Sequence, residues 1–335
     1  MAPAVTAWVL GVDSGGTGVR VALAAVDAGR PEPVGVVGPL TADPVPTGPD
    51  GISADALSDR LLPAARRLRE AVGEPDGEVA AVCVGAAGMA TLGADLRATL
   101  PGVLRQALGV RRLALAADAV TAYAGALGER PGAVVAAGTG LIALGTDLVG
   151  WRRADGWGHL LGDCGGGAWI GRAGLEAAAR AHDGRPGGSA PLLRRAEELF
   201  GPVERLPERL YPRADRPAVL ASFAPRVGAC AAEGDPVAVG ILADAAREIA
   251  ASAAAALPAR QDDVQSPAQL AVVGGLLGLG EPLLGPLRKE LSERLPDVPT
   301  HWPESGPLDG ALRLAAGLCD GRRTLPADGR LLTLH

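Results

Sequence analysis

Lysine is almost missing from this chain of 335 residues: Lys289 is the only one, and nearly all the positive charge comes from arginine. The sequence contains no G-x-x-x-x-G-K-[ST] segment, which excludes a P-loop with its phosphate-binding lysine. A G-x-G-x-x-G fingerprint that opens a helix is also absent, which argues against a Rossmann dinucleotide site. If the protein binds nucleotide phosphates, it must use backbone amides, hydroxyl groups and a metal ion.

Cysteines, aromatic residues and excess positive charge are scarce as well. The cysteines lie far apart without a C-x-x-C pair, which fits a reducing compartment and gives no metal or iron–sulfur pattern. The formal net charge of −6 argues against a nucleic-acid partner, and no apolar run is long enough to span a membrane. We therefore predict a soluble cytoplasmic protein without a nucleic-acid or membrane partner. The cysteines are Cys83, Cys164, Cys230 and Cys319.

A glycine-rich turn between two apolar runs occurs twice, first at Gly15-Gly16-Thr17-Gly18 and again at Gly138-Thr139-Gly140. Each pattern predicts a β-hairpin whose tip admits an anion, because glycine lets backbone amides approach phosphate oxygens and threonine adds a hydroxyl donor. One such hairpin is most often a plain turn. Two of them, facing each other, would grip a polyphosphate between two lobes. The candidate phosphate-binding residues are Asp13, Ser14, Gly15, Gly16, Thr17, Gly138, Thr139 and Gly140.

Strand and helix patterns alternate along the chain, which predicts an α/β layer fold of two domains. In the first half we predict strands at 7–12, 19–26, 33–37, 79–85 and 111–117, and helices at 54–72 and 119–127. A loop-rich stretch follows at 147–170. In the second half we predict helices at 172–181, 235–257, 281–295 and 309–319, and strands at 269–273 and 298–301.

Asp13 and Asp118 are candidates for phosphoryl chemistry. A carboxylate beside bound phosphates is repelled unless a cation intervenes, so Asp13 is predicted to hold Mg²⁺, directly or through water. The alternative is that Asp13 caps its own turn. Asp118 ends an apolar strand and precedes a helix, a position where an aspartate can accept a proton from a substrate hydroxyl. The alternative for Asp118 is a helix N-cap.

The most distinctive segment is Gly156–Gly171, with many glycines and two tryptophans around Asp163. Asp163 is predicted to accept hydrogen bonds from sugar hydroxyls, with Trp157 shaping the pocket; a turn-stabilising aspartate is the alternative. Cys164 is either a thiol of lowered pKa near a helix start or a small buried residue. His159 fits a structural residue better than an acid or base.

Near the end of the chain, Gly274-Gly275 follows a buried strand. Glycines at such a position permit close approach of a flat ligand such as adenine. A plain turn is the alternative.

In this order, these motifs resemble the sugar kinase/heat-shock cognate/actin superfamily, and within it the BadF/BadG/BcrA/BcrD-type ATPases that include N-acetylglucosamine kinases. The resemblance spans nearly the whole chain, and Gly156–Asp163 is its most specific part. It implies a two-lobed actin-like (ribonuclease H-like) fold, each lobe a mixed sheet flanked by helices, with ATP-Mg²⁺ and a hexose-like substrate in the cleft. We predict lobes at 1–117 plus about 309–335, whose last helix packs back, and at 118–308.

The same resemblance implies the role of each matching residue and a homodimer. Asp118 is the catalytic base and also contacts substrate. Both glycine turns hold phosphates, and Gly274 and Gly275 flank adenine. The residues implied on the substrate side are Asp43, Asp118, Trp157, Gly158, Asp163 and Cys164.

Three departures from the family pattern bear on the substrate. Cys164 and Gly166 stand where glutamate and serine are usual, and Asp43 stands where asparagine is usual. Ala117 replaces an asparagine that often precedes the catalytic aspartate. An ionised aspartate only accepts hydrogen bonds, so Asp43 favours a cationic amine, as in free glucosamine or an aminocyclitol.

Three functions fit these residues. The leading prediction is an ATP-dependent kinase of an amino sugar, or of another sugar or aminocyclitol. The second is an ATPase that activates a partner reductase, and the scattered cysteines argue against its iron–sulfur centre. The third is a sugar- and ATP-binding protein with reduced catalysis, which Cys164 and Gly166 suggest.

Overall fold

The computed structural model describes residues 7–16, 18–27, 32–48, 51–74, 78–259, 267–319, 321 and 325–335. The chain divides into two compact units. Unit 1 comprises Met1–Val134, Thr146–Trp151 and Pro303–His335, and unit 2 comprises Val135–Gly145 and Arg152–Trp302. Residues 118–134 lie in unit 1. The lobe boundary after residue 117 stays a prediction.

Strands form two main sheets and a small two-stranded one. In the described residues they are β1 (Ala7–Gly15), β2 (Gly18–Val26), β3 (Val34–Ala42), β4 (Thr47–Gly48), β5 (Gly51–Ile52), β6 (Val79–Ala86), β7 (Arg112–Ala117), β8 (Gly132–Ala137), β9 (Leu141–Thr146), β10 (Trp151–Asp155), β11 (Gln269–Val273), β12 (Thr300–His301) and β13 (Leu332–Leu334).

Helices account for most of the remaining described residues. They are α1 (Ala54–Ala71), α2 (Met89–Leu92), α3 (Ala94–Leu108), α4 (Asp118–Leu127), α5 (Gly167–His182), α6 (Ala190–Phe200), α7 (Leu206–Leu210), α8 (Arg216–Ala221), α9 (Ala224–Ala232), α10 (Pro236–Ala256), α11 (Glu281–Arg294) and α12 (Pro307–Cys319), with short 3-10 helices at Val203–Arg205 and Gly275–Leu279. None of the helices in the described ranges combines the length and apolar character that a membrane span needs.

The first sheet is mixed, with the strand order β13-β7-β6-β1-β2-β3. Strands β1, β6 and β7 are parallel, while β2 is antiparallel to both β1 and β3. As a result, β1, β3, β6 and β7 all run in the same direction, and their carboxyl ends lie at one edge of the sheet. The apolar runs that predicted β1 and β2 are buried almost throughout.

Helices α4 and α12 pack against each other and against the first sheet, and α1 packs against β2 and β3. Glycines make the close contacts possible. A Cβ on Gly11 of β1 would lie 2.7 Å from the Leu312 side chain of α12, and a Cβ on Gly310 would lie 1.8 Å from the Thr121 carbonyl oxygen of α4. The core of unit 1 is therefore built mainly from alanine, valine and leucine side chains, with glycine at the closest contacts.

The second sheet has the strand order β10-β9-β8-β11-β12. Helix α10 begins as the sequence predicts, with the Asp235 carboxylate accepting the Ala238 N–H at 2.7 Å and Pro236 in the first helical position. Helix α5 packs on α6, α8, α9 and α10. Gly171 permits the contact with α8, because a Cβ there would lie 1.8 Å from the Leu220 carbonyl oxygen.

Several predicted boundaries were wrong. Strand β3 continues to Ala42, beyond the predicted end at residue 37. Within the predicted loop at 147–170, Trp151–Asp155 forms β10 and α5 already begins at Gly167. In both places hydrogen-bonded neighbours or helix packing override weak local signals.

Candidate functional site

Three predicted aspartates lie at the carboxyl-end edge of the first sheet. Asp13 lies near the end of β1, Asp118 directly follows β7, and Asp43 directly follows β3. Strand β6 separates β7 from β1, so Asp118 and Asp13 are two strand spacings apart, about 10 Å. Strand β2 separates Asp13 from Asp43 in the same way. The structure thus brings these three carboxylates to one edge of unit 1.

Asp13 is buried and forms an ion pair with Arg20. The two residues face each other across the β1–β2 register. The Asp13 Oδ2 accepts hydrogen bonds from Arg20 Nε at 3.0 Å and from Arg20 Nη2. The Asp13 side chain is only 7% exposed, whereas that of Arg20 is 46% exposed. Arg20 was not predicted from the sequence, although it follows from the β1–β2 register.

The residues around Asp13 limit how Mg²⁺ could be held there. Among the described residues, no group of three or more His, Cys, Asp or Glu side chains could hold a metal ion. Mg²⁺ is usually held by one or two carboxylates, with waters and substrate phosphates completing the shell. One Asp13 oxygen accepts the Arg20 bonds. The residues therefore fit Mg²⁺ held largely by phosphate and water, and do not fit an all-protein metal cage.

Asp118 is the first residue of α4, and Ala117 occupies the N-cap position. The Asp118 Oδ1 accepts the Ala119 N–H at 2.9 Å, and its backbone carbonyl accepts the Thr121 hydroxyl at 2.9 Å. The first turn of a helix is a favourable place for an anionic side chain, because the unpaired N–H groups there carry partial positive charge. The carboxylate is half-buried.

The first glycine turn contains a mixture of open and crowded positions. Added Cβ atoms on Gly15 and Gly16 would meet nothing within 4 Å, whereas one on Gly18 would lie 2.7 Å from the Ala42 carbonyl oxygen. Ser14 is buried, and its carbonyl accepts the Ala87 N–H at 2.9 Å. The predicted residue Thr17 lies outside the described residues.

The second glycine turn is held against the start of α5. The Gly167 N–H donates to the Gly138 carbonyl at 2.9 Å, and the Ala168 N–H donates to the Thr139 carbonyl at 2.8 Å. Within the turn, the Gly138 N–H donates to the Gly140 carbonyl at 3.0 Å. Backbone hydrogen bonds therefore fix this turn in place.

Asp163 and Gly274 lie beside the second turn. A Cβ on Gly140 would lie 2.3 Å from Asp163 Oδ2, and a Cβ on Gly274 would lie 2.1 Å from the Ala137 carbonyl oxygen. Gly274 also has a φ of +115°, which favours glycine, while Gly275 has open space around its Cα. The structure thus brings a second group of predicted residues together within unit 2.

The loop that ends at Asp163 is held by a second aspartate that the sequence analysis missed. The two Asp155 oxygens accept the backbone N–H groups of Asp163 at 2.7 Å and of Cys164 at 2.8 Å. Asp163 in turn accepts the Gly158 N–H at 2.9 Å. The Asp155-Gly156 pair, a typical turn dipeptide, is the sequence signal for this residue.

Burial changes the acidity of two predicted residues in this loop. Burial raises the pKa of Asp163, and the nearby Asp155 charge adds to the rise, while the Gly158 N–H and His159 oppose it. Of the two alternatives for Cys164, the thiol of lowered pKa is contradicted. Burial, followed by the neighbouring carboxylates, raises the pKa of Cys164. The start of α5 cannot reverse this, because its first N–H groups bond to the second glycine turn.

Trp157 is exposed and stacks against an arginine. Its residue surface is 64% exposed, and the Arg153 guanidinium lies 4.0 Å from the ring centroid. Leu160 and Leu161 of the same loop are also exposed. The His159 Nε2 is buried and has no hydrogen-bond partner among the described residues.

Comparison with known proteins identifies the family. The model of the BadF/BadG/BcrA/BcrD ATPase family matches residues 10–313, a span that includes both glycine turns, Asp118 and Asp163. This chain belongs to that family. The resemblance seen in the sequence motifs is thereby confirmed.

Relatives of this BadF-type chain include enzymes that act on amino sugars. The chain is 26% identical over 323 residues to the N-acetylmuramic acid/N-acetylglucosamine kinase of Clostridium acetobutylicum, covering 93% of this chain and 99% of the relative. A solved structure from Chromobacterium violaceum, provisionally described as an N-acetylglucosamine kinase, is 28% identical and aligns with a TM-score of 0.71, covering 92% of this chain and 99% of that one.

A more distant structure supports the fold of this family member. The ROK family glucokinase of Streptomyces griseus, solved with glucose and AMPPNP, aligns with a TM-score of 0.56 at 22% identity, covering 94% of this chain and all of the glucokinase. The predicted fold class, mixed sheets flanked by helices in an actin-like ATPase fold, is confirmed by these neighbours and by the two sheets described above.

Proposed function

We propose that this chain, a sugar kinase of the BadF/BadG/BcrA/BcrD ATPase family, transfers the γ-phosphoryl group of ATP to a hydroxyl of an amino sugar. The acceptor class is a hexose of the N-acetylglucosamine or glucosamine type. The observation that carries the proposal is the edge of the first sheet where Asp118 and Asp13 lie together. The relatives that act on N-acetylglucosamine support the acceptor class.

Unit 1 supplies the general base. Asp118 accepts the proton of the acceptor hydroxyl while that oxygen attacks the γ-phosphorus, and the bond to the β-phosphate oxygen breaks to release ADP. Ser14, Gly15, Gly16 and Thr17 contact the phosphates, and Asp13 would face them through a bound cation and water. Mg²⁺, when bound through Asp13 and water, neutralises charge on the phosphate oxygens.

Unit 2 supplies further nucleotide and sugar contacts. We assign phosphate contacts to Gly138, Thr139 and Gly140, with the Thr139 hydroxyl as a donor, and adenine contacts to Gly274 and Gly275. Asp163 accepts hydrogen bonds from sugar hydroxyls beside Gly140. Gly158, Trp157 and Cys164 complete the substrate side of this loop.

Asp43 bears on which amino sugar is preferred. It is exposed at the same edge as Asp118, and its carbonyl accepts the Arg60 Nε–H at 2.9 Å, which anchors the backbone there. Because an ionised carboxylate attracts a cationic amine, glucosamine or an aminocyclitol is the alternative acceptor. The homodimer and the cytoplasmic location stay predictions.

The test is ADP release that depends on both the acceptor and ATP-Mg²⁺. The acceptors are glucosamine, N-acetylglucosamine, glucose, N-acetylmannosamine and an aminocyclitol. We expect turnover on an amino sugar and a loss of about 10²–10⁴-fold in kcat for Asp118→Asn, because a general base contributes that much. Asp55→Asn is the matched control, since Asp55 is an exposed first-turn acid of α1.

Two outcomes would contradict the proposal. Equal losses in Asp118→Asn and Asp55→Asn would point to a helix effect rather than to a base. ATP and sugar binding without turnover would identify a binding protein with reduced catalysis. If Asp43→Asn leaves the preference between amine and N-acetyl acceptors unchanged, the amine-selective role of Asp43 fails.

A further inference from the structure

The carboxylates of Asp155 and Asp163 close the loop between these two residues, because each accepts hydrogen bonds from backbone N–H groups near the opposite end of the loop. Asp155 accepts the N–H groups of Asp163 and Cys164, using one oxygen for each. Asp163 accepts the Gly158 N–H, which lies near the beginning of the same loop. Strand β10 ends at Asp155. Beyond that strand, these side-chain oxygens tie the two ends of the loop to each other.

The backbone of this loop is held in conformations that side chains rarely adopt. Asp155 has a φ of +58° and Asp163 has a φ of +54°, and both residues carry a Cβ. Such left-handed conformations are strained for a residue with a Cβ and persist where surrounding contacts enforce them. The enforcing contacts at Asp163 are its own N–H bond to Asp155 and its carboxylate bond to Gly158.

Close packing around Asp155 fixes its carboxylate in turn. A Cβ on Gly162 would lie 2.3 Å from Asp155 Oδ1, so only glycine leaves room for this oxygen beside the loop. At the other end of the chain of contacts, Asp163 Oδ2 lies against Gly140 of the second glycine turn. The position of the Asp163 carboxylate relative to that turn therefore depends on Asp155.

We propose that Asp155 is a positioning residue for substrate binding, which holds the Asp163 carboxylate in its left-handed backbone conformation beside Gly140 by accepting the N–H groups of Asp163 and Cys164. The inference rests on the proposed function only in that Asp163 binds the sugar hydroxyls. Asp155 contacts backbone amides and takes no part in the transfer itself. Its loss misplaces an acceptor for the sugar and leaves the base and the phosphate contacts in place.

The test compares Asp155→Ala with Asp147→Ala. Asp147 is a matched control, because its carboxylate also accepts two backbone N–H groups, those of Val149 and Gly150, in a loop of unit 1. We expect Asp155→Ala to raise the KM for the sugar about tenfold or more, with the KM for ATP unchanged, because each lost bond to a charged acceptor weakens the site. Asp147→Ala is expected to leave both constants unchanged.

A conservative variant gives a second, sharper readout. Asp155→Asn keeps one acceptor oxygen, so we expect a KM for the sugar between those of wild type and Asp155→Ala. It also removes a negative charge beside Asp163, which shifts the acidic limb of the pH profile of kcat/KM to lower pH. The distinguishing readout is the intermediate KM, because a residue that merely stabilises the fold would not raise the KM for the sugar alone.

A measurement made without sugar separates the positioning role of Asp155 from the proposed kinase function. Cys164 is half-buried, and its N–H is bonded to Asp155. The labelling rate of its thiol by iodoacetamide, measured by peptide mass spectrometry, is expected to be severalfold higher in Asp155→Ala than in Asp155→Asn, which removes the same charge beside the thiol, and to stay at the wild-type value in Asp147→Ala. Unchanged labelling overturns the inference, as does faster labelling with an unchanged KM and an unchanged affinity for N-acetylglucosamine by calorimetry. Absence of turnover in wild type on every acceptor overturns the proposed function alone.

Discussion

The two glycine turns follow the same sequence pattern, yet their surroundings differ. The first is bracketed by the Asp13–Arg20 ion pair, and Gly15 and Gly16 have open space around them. The second is tied by backbone hydrogen bonds to α5, and both Asp163 and Gly274 crowd it. The same motif is therefore held by charge in its first copy and by close packing in its second.

The largest effect is expected where packing beside the second turn is tightest. Gly274→Ala adds a Cβ that lies 2.1 Å from the Ala137 carbonyl oxygen, at a φ of +115°. We expect a loss of about 2–5 kcal/mol in the free energy of unfolding, from backbone strain together with overpacking. Urea denaturation measures it. Gly275→Ala is the control, since its Cβ meets nothing within 4 Å, and equal losses in both variants would contradict this account.

The next effect is expected at the ion pair of the first turn. Arg20→Gln leaves the buried Asp13 carboxylate without its cationic partner. The free energy of unfolding is expected to fall by about 1–3 kcal/mol, because a buried charged acceptor loses its bonds. Arg20→Lys should recover part of the loss at low salt. If Arg20→Gln is as stable as wild type, charge does not hold the first turn.

A smaller effect is expected when one glycine in each turn is replaced by alanine. Gly140→Ala pushes against Asp163 Oδ2, whereas Gly16→Ala adds a methyl group in open space. We expect Gly140→Ala to lower the free energy of unfolding by about 1–2 kcal/mol, since a side chain can shift to relieve the contact. Thermal and urea unfolding of both variants measure the difference. A larger loss in Gly16→Ala would reverse the comparison.

The smallest effect concerns pH. Burial raises the pKa of Asp163 above its ordinary value of 3.8, so the folded state binds this proton more tightly than the unfolded chain. Its contribution to stability is full below pH 3.8 and is lost as the pH rises through the raised pKa. The Asp163→Asn variant does not lose this stability, because an amide does not titrate. Its amide oxygen can still accept the Gly158 N–H.

The stability of Asp163→Asn relative to wild type should therefore rise with pH across that window. The gain is expected to stay below about 1 kcal/mol, because solvent screens a half-exposed charge. Unfolding measured between pH 3 and pH 8 tests this, and the KM for the sugar is expected to rise in the same variant. A relative stability that falls with increasing pH would contradict the sign.

Elements with strong local signals were predicted well. Strand β11 occupies the predicted residues Gln269–Val273, because four of its five residues are fully buried and apolar. Helix α10 follows from the Asp235 cap and Pro236. In contrast, β10 was missed because its sequence, Trp-Arg-Arg-Ala-Asp, lacks alternation and it lies at the edge of its sheet. Its pairing with β9 supplies what the local sequence does not.

For the candidate site, the sequence identified residue types better than their partners. Asp13, Asp118 and Asp163 were singled out from motifs, but Arg20 and Asp155 were not. Arg20 becomes the partner of Asp13 only through strand register, and Asp155 reaches the Asp163 N–H only through a loop with two unusual φ values. Local propensity alone does not identify partners across a chain reversal; Arg20 follows once the hairpin register is fixed, and Asp155 follows once the loop geometry is known.

The edge strand β13 has a consequence for biosynthesis. It pairs antiparallel with β7, and α12 packs on β1 and β6, so residues 303–335 complete the unit to which residues 7–134 belong. Those residues emerge from the ribosome after all of unit 2. Chains usually fold domain by domain from the amino terminus as they are made. Synthesis of unit 1 therefore begins before that of unit 2 and ends after it. The edge of β7 that pairs with β13 stays unpaired while unit 2 is translated.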